Sequence, residues 1–159
     1  MVNRTRDDEA ALVPPEPVDA AYERDFYTWS QEQARLLRAG LWTAVDRENV
    51  AEEIESLGRE QFNKLESALR VLLLHLLKWD HQPGKRTRSW ALSVKDQRLA
   101  FADVLADNPG LKSRLDEALA RAYRRARIQA AAETGLPEDS FPESSPYGLD
   151  EIATRELNS

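Results

Sequence analysis

Glu48, Glu52 and Glu55 stand four and three residues apart, so on a helix their carboxylates share one face. Carboxylates gathered in this way could hold a metal ion, or keep one proton for acid/base work. His75 sits alone in the apolar run Val71–Leu77, where it could shuttle a proton or supply a single ligand. A helical di-metal centre, however, takes Glu-x-x-His pairs from two helices. Here the residues three before His75 and His81 are Leu72 and Lys78. No metal and no cofactor is therefore expected. The expected role of His75 is a partly buried hydrogen bond to a neighbouring helix. His81, beside Trp79, suits a helix C-terminus. An enzyme built on Glu52, Glu55 and His75 is the least favoured functional reading.

The second candidate is the basic stretch from Lys78 to Arg98. Lys78, Lys85, Arg86, Arg88, Lys95 and Arg98 outnumber Asp80 and Asp96 there, and Trp79 and Trp90 flank its most basic part. Aromatic rings among cations can stack bases while the charges hold phosphates, so Lys85, Arg86, Arg88, Trp90 and Arg98 form a candidate nucleic-acid surface. The competing reading is internal. Arg88 would reach Glu52 or Glu55 through its two-pronged guanidinium, making Glu52, Glu55, His75 and Arg88 a structural polar cluster. A third set, Arg121, Arg124, Arg125 and Arg127, reads as a solvated helix face, with Glu117 four residues before Arg121. No glycine-rich phosphate loop, nucleophile elbow or zinc-ligand spacing occurs.

The elements that must position these residues are helices. Phe26, Trp29, Gln33, Leu36 and Leu37 mark a first helix over about 25–39, ended by Gly40. Asp46 and Asn49 offer capping chemistry for a second, with Val50, Ile54 and Leu57 on its inner face. Gly58 either ends that helix or is absorbed into a longer rod at a cost of about 1 kcal/mol. Over about 59–80, Phe62, Leu65, Leu69, Leu72, Leu73 and Leu76 repeat at helical spacing, and Val71, Leu74 and Leu77 extend the apolar surface around the helix. Such a helix is surrounded by protein. Pro83-Gly84 turns the chain into a fourth helix over about 89–107. Asn108-Pro109-Gly110 breaks it, and a fifth runs to Thr134 before Gly135. No alternating pattern indicates a strand.

The expected fold is thus all-α: a single compact bundle of about five helices around a central apolar helix. Residues 1–20, with three prolines and no periodicity, read as a disordered or loosely packed arm, 21–136 as the bundle, and 137–159 as an extended tail with a short helix near 149–155. The composition, 42% hydrophobic and 31% charged, is that of a globular chain, and a net charge of −6 argues against a general polyanion binder. Cysteine is absent, which excludes disulfides, thiolate metal sites and cysteine nucleophiles and suits a reducing cytoplasm. No signal-peptide pattern opens the sequence, and Val71–Leu77 falls far short of the roughly 20 residues that span a bilayer. No membrane partner is expected.

Within these elements stand Asp25-Phe26-Tyr27 with Trp29, Glu48-Asn49, Glu52-Glu53-Ile54-Glu55-Ser56-Leu57-Gly58 and His75-Leu76-Leu77-Lys78-Trp79. Gln82-Pro83, Arg88-Ser89-Trp90, Gln97-Arg98, Thr134-Gly135-Leu136-Pro137 and Phe141-Pro142 follow. In this order they resemble the bacterial domain-of-unknown-function family 29, over about residues 22–151. The resemblance implies a small, cytoplasmic, helical bacterial domain and brings no catalytic residues with it. The leading functional expectation is a non-enzymatic binding module that meets a protein partner or a second copy of itself through its helix faces. Nucleic-acid association through Lys78–Arg98 is the alternative.

Overall fold

A computed structural model describes residues 18–157, with side chains from residue 21 onward. The arm expected over residues 1–20 lies outside the described residues except for Val18–Ala20, which already belong to a helix. Six α-helices are described: α1 (Val18–Arg24), α2 (Phe26–Arg38), α3 (Arg47–His81), α4 (Arg88–Asp107), α5 (Leu115–Thr134) and α6 (Leu149–Thr154). No strand occurs among the described residues. The fold is an all-α bundle, and its chain divides into two compact units at Glu55/Ser56, inside α3.

In the first unit, Asp25 caps α2 by accepting the Thr28 N–H at 3.0 Å. Tyr22 of α1 packs edge-on against Trp29 at 4.8 Å between centroids. Trp29, Gln33 and Leu36 are the buried face of α2, while Phe26 and Leu37 of the expected face are exposed. Asp46 ties the unit together. Its Oδ1 accepts the Asn49 N–H at 3.3 Å, its Oδ2 accepts Trp29 Nε1–H at 3.1 Å, and its own N–H donates to Gln33 Oε1 at 2.8 Å. Gly40 follows α2 at φ +69°, the left-handed conformation that glycine adopts without strain.

Gly58 does not separate two helices. α3 runs unbroken for 35 residues, and a Cβ at Gly58 would meet nothing within 4 Å. The inner-face reading of the first turns of α3 fails, because Ile54 is 64% exposed and Leu57 nearly as much. Periodicity shows which residues share a face and does not show whether that face is covered.

The second unit is built on the rest of α3. Leu65, Leu69, Leu72, Leu73, Leu76 and Leu77 are fully buried and meet Val94 of α4 and Ala118, Ala122, Tyr123, Ala126 and Ala130 of α5 in one core. Six such leucines each contribute about 1.5–3 kcal/mol of burial relative to exposure. Thr87 caps α4, its hydroxyl accepting the Trp90 N–H at 3.3 Å. A 3-10 stretch over Pro109–Arg114 precedes α5, which therefore begins later than Pro109 suggests. Gly135 ends α5 at φ +74°.

The segment after Leu136 is no loose tail. Phe141, Tyr147 and Ile152 are buried members of the same core. Arg98 of α4 donates from Nε to the Ile152 carbonyl and from a terminal nitrogen to that of Arg155, both at 2.7 Å. The segment carries no helical period over most of its length, so its apolar residues give no face to read.

Candidate functional site

Glu52 and Glu55 are exposed on the first turns of α3, in the first unit, whereas His75 and Arg88 lie in the second. Glu55 and His75 are 20 residues apart on one helix, about 30 Å of rise at 1.5 Å per residue. Neither unit gathers the four residues of the expected cluster. Glu53, not one of that set, is the first-turn acid with a described partner: it accepts the Tyr22 hydroxyl. That hydrogen bond, with burial and the nearby acids behind it, pushes the phenol up to about 12. His75 turns back on its own helix, Nδ1–H donating to the Val71 carbonyl at 2.9 Å, rather than to a neighbouring one. His81 does the same to Leu77 at 2.9 Å and stacks on Phe141. Among the described residues no group of three or more His, Asp and Glu is placed to hold a metal ion.

Half of the basic stretch is spoken for: Lys78, Arg86 and Arg98 are engaged, while Lys95 is exposed. Arg86 Nε–H donates to the Trp79 carbonyl at 3.0 Å with its guanidinium over the Trp79 ring, which is only 3% exposed and closed to a base. Lys78 lies over the Trp90 ring and pairs with Glu133 at 2.6 Å. Arg98 holds the C-terminal segment, and burial lowers its pKa. Lys85 and Arg88 remain exposed, and within its own unit Arg88 makes no hydrogen bond or ion pair. Arg88 lines a shallow depression with Ser89, Leu92, Ser93 and Asp96.

The second unit's chief polar feature lies elsewhere. Glu66–Arg121, Arg70–Gln129, Lys78–Glu133 and Gln82–Thr134 join α3 to α5. Numbers rise together along both helices, so the two run parallel. At the N-terminal end of this seam, Asn63, Glu66, Ser67 and Arg70 face Arg121, Arg125 and Gln129 across a cleft of about 610 Å³. Glu66 is buried, 5% exposed, with Arg121 Nε at 3.0 Å and Arg125 Nε at 3.6 Å from its two oxygens. Arg70 donates to Gln129 Oε1 at 2.6 Å and meets no carboxylate among the described residues. Arg121 and Arg125 are thus walls of a cleft, not only a solvated stripe. The signal was available as spacing: positions 63, 66, 67 and 70 form a polar face on the helix that buries its leucines, and 121, 125 and 129 repeat at four.

A further polar knot clasps the C-terminal segment. Asp80 accepts Tyr147 O–H at 2.8 Å and both terminal nitrogens of Arg155, one at 2.9 Å. Burial works to raise the Asp80 pKa, but the bonds from Arg155 and Tyr147 outweigh it and hold the carboxyl below the ordinary range. Burial first, then the bond to Asp80, pushes the Tyr147 phenol far up.

The first unit offers surface rather than cleft. Six of the ten large hydrophobic side chains exposed among the described residues (Phe26, Tyr27, Leu37, Leu41, Trp42 and Ile54) fall within it, at residues 26–54. No described helix is long and apolar enough to cross a membrane, so a buried span does not explain them.

No curated protein and no solved structure matches the chain. A family description does match, over residues 21–157, most of the sequence and nearly the whole described structure. It covers both units and the C-terminal segment that closes the core, and the chain belongs to the family described as Domain of unknown function DUF29.

Proposed function

We propose that this chain is a non-enzymatic helical binding module whose docking surface lies in residues 26–54 and whose partner presents a basic amphipathic helix. The observation that carries the reading is the crowding of exposed large hydrophobic side chains into that segment. Trp42 and Tyr27 are side-chain types that dominate interface energetics when a partner covers them. Charge selects the partner. Residues 21–55 hold eight Asp and Glu against four Arg, a net of −4. On α3, at 100° per residue, Ile54 and Leu57 are flanked by Glu53 and Glu60 on one side and by Glu48 and Glu55 on the other. An apolar stripe with acidic margins fits a helix with apolar residues at i, i+3, i+4 and i+7 and Lys or Arg beside them. A second copy of the same surface would set acid against acid, which disfavours self-association. The reading places this work in a bacterial cytoplasm, to which a cysteine-free chain is suited.

The test is photo-cross-linking of the full chain in its native cell, with the reactive side chain at position 42 or 54 and a control at Leu99. Adducts at 42 and 54 that are absent at 99, with the adduct at 42 lost when Ile54→Asp is added and the cross-linked peptide an amphipathic segment rich in Lys and Arg, support the reading. Adducts to nucleic acid, adducts to a second copy, or none at either position overturn it.

A further inference from the structure

We propose that the cleft between α3 and α5 binds a dianionic phosphate group, free or carried on a small polar molecule. The site uses none of the residues of the docking surface and stands or falls separately from it.

Charge is the first argument. Three guanidiniums (Arg70, Arg121 and Arg125) converge on a cleft that contains one carboxylate, Glu66. Arg121 has a second acid partner in Glu117 at 3.7 Å, which Arg114 shares at 2.8 Å; with both counted, four guanidiniums stand against two carboxylates, the local surplus is still two positive charges, and its complement is a dianion. Arg121 and Arg125 are one turn apart on α5, so their charges repel, and the repulsion weakens the helix unless an anion lies between them. Glu66 relieves part of it. Its two oxygens are engaged by the Nε edges of Arg121 and Arg125, which leaves terminal nitrogens of Arg125 directed away from that contact. Arg125 is 70% exposed and has no second carboxylate among the described residues.

Arg70 supplies the second argument. Its described partner is a neutral amide, Gln129 Oε1, and that amide is itself held by a bond from Nε2 to Glu133 at 3.1 Å. The guanidinium is therefore oriented without being neutralised. An arginine serving only to tie α3 to α5 would be satisfied by a carboxylate, as Lys78 is by Glu133 one and a half turns later in the fold. Guanidinium forks match phosphate oxygens in two-bond geometry, and Asn63 and Ser67 at the rim add neutral donors.

The lining settles the class. Every residue that walls the cleft is polar, and none is an aromatic or aliphatic residue on which a base or acyl chain would rest. A volume of about 610 Å³ admits a phosphorylated sugar as readily as phosphate itself.

Nuclear magnetic resonance titration of the full chain tests this, with inorganic phosphate, ribose 5-phosphate and, as a control, sodium chloride at equal ionic strength. Saturable shifts at the side-chain resonances of Arg70 and Arg125 with phosphate, and none with chloride, are expected. Arg70→Gln and the largely exposed Arg125→Gln should each weaken binding by about tenfold, the loss of one charge-assisted contact. Glu66→Gln should instead tighten binding, because it removes the carboxylate that competes with the ligand, although the same change weakens a merely structural ion pair. Tighter binding of ribose 5-phosphate than of phosphate assigns the site to phosphate esters, and the reverse assigns it to the free ion. Shifts that grow linearly and alike with phosphate and chloride overturn the proposal. So does unchanged affinity in Arg125→Gln, a variant whose folding circular dichroism will verify.

Discussion

Replacing Asp80 by Asn should cost about 2 kcal/mol at neutral pH and progressively less as pH falls below about 4. Asp80 is the anchor of the C-terminal clasp, with both carboxyl oxygens taken by Arg155 and one shared with Tyr147. The magnitude follows from exposure. A fully exposed ion pair contributes about 0–1 kcal/mol, and breaking a buried one costs about 3–5 kcal/mol. Here the two side chains are 27% and 28% exposed, so an intermediate value holds. Asparagine retains an oxygen for the Tyr147 hydroxyl, so the loss falls on the Arg155 contact alone. At this chain length about 2 kcal/mol lowers Tm by roughly 4–8 °C. The pH dependence has a definite sign. The folded pKa of Asp80 is lowered, so its contribution is complete above the unfolded value of about 3.9 and fades as pH falls through the folded value. Urea unfolding followed by circular dichroism should therefore give wild type and Asp80→Asn midpoints well apart from about pH 5 to 7, with the gap already narrowed at pH 3 and closing further below it. A difference that persists undiminished at pH 3 would mean that the carboxylate charge is not what holds the clasp. Simple additivity of Asp80→Asn with Arg155→Met would refute the pairing itself.

Two further changes test the fold. Gly58→Ala should stabilise the chain by about 0.5–1 kcal/mol, since the position is interior to α3 and nothing stands within 4 Å of the added Cβ; an unchanged or lower urea midpoint would show that the helix is not continuous there. Phe141→Ala should cost about 3–5 kcal/mol, the loss of a buried ring from the core, and a loss under 1 kcal/mol in the same assay would return residues after Leu136 to the status of a tail.

Much of the second unit was legible because its helices are buried along one continuous stripe. Leu65, Leu69, Leu72 and Leu76 repeat at three to four residues, and Val94, Phe101, Val104 and Leu105 share one face of α4, the first buried and the others half-buried against the core. Period is the information a helix carries, and burial follows it wherever a neighbour exists. Ile54 and Leu57 have the same spacing and are exposed, because period says nothing about a neighbour's presence. Phe141 and Tyr147 are the converse: buried without period, held in place by contacts far along the chain. Tyr123 O–H donates to the Pro142 carbonyl at 2.6 Å, and Arg127 Nε–H donates to that of Phe141 at 3.2 Å. The sites failed to show for a related reason. Glu66 is a single acid among leucines, and its meaning depends on two arginines 55 and 59 residues later that arrive only when α5 lies parallel to α3.

Net charge hid the rest. A total of −6 argued against anion binding, yet it averages unlike regions, residues 1–20 alone supplying −3 of it. Residues 21–55 hold eight acidic and four basic side chains, a net of −4, while residues 56–157 hold fifteen acidic and sixteen basic, a net of +1. Within the second set the acids are themselves partly consumed: Asp80 by Arg155, Glu133 by Lys78, and Glu138 by Arg127 at 3.0 Å. Each of those pairs is locally neutral. The cleft at Glu66 is not, with three guanidiniums to one carboxylate. Electrostatic recognition acts over about a Debye length, roughly 8 Å at physiological salt, so a ligand in that cleft responds chiefly to the charges that line it. A chain that is acidic overall can therefore seek cations with one segment and anions with another. The separate outcomes expected for Ile54→Asp, which should abolish cross-linking at residue 42, and Arg125→Gln, which should weaken phosphate alone, are the measurable form of that separation.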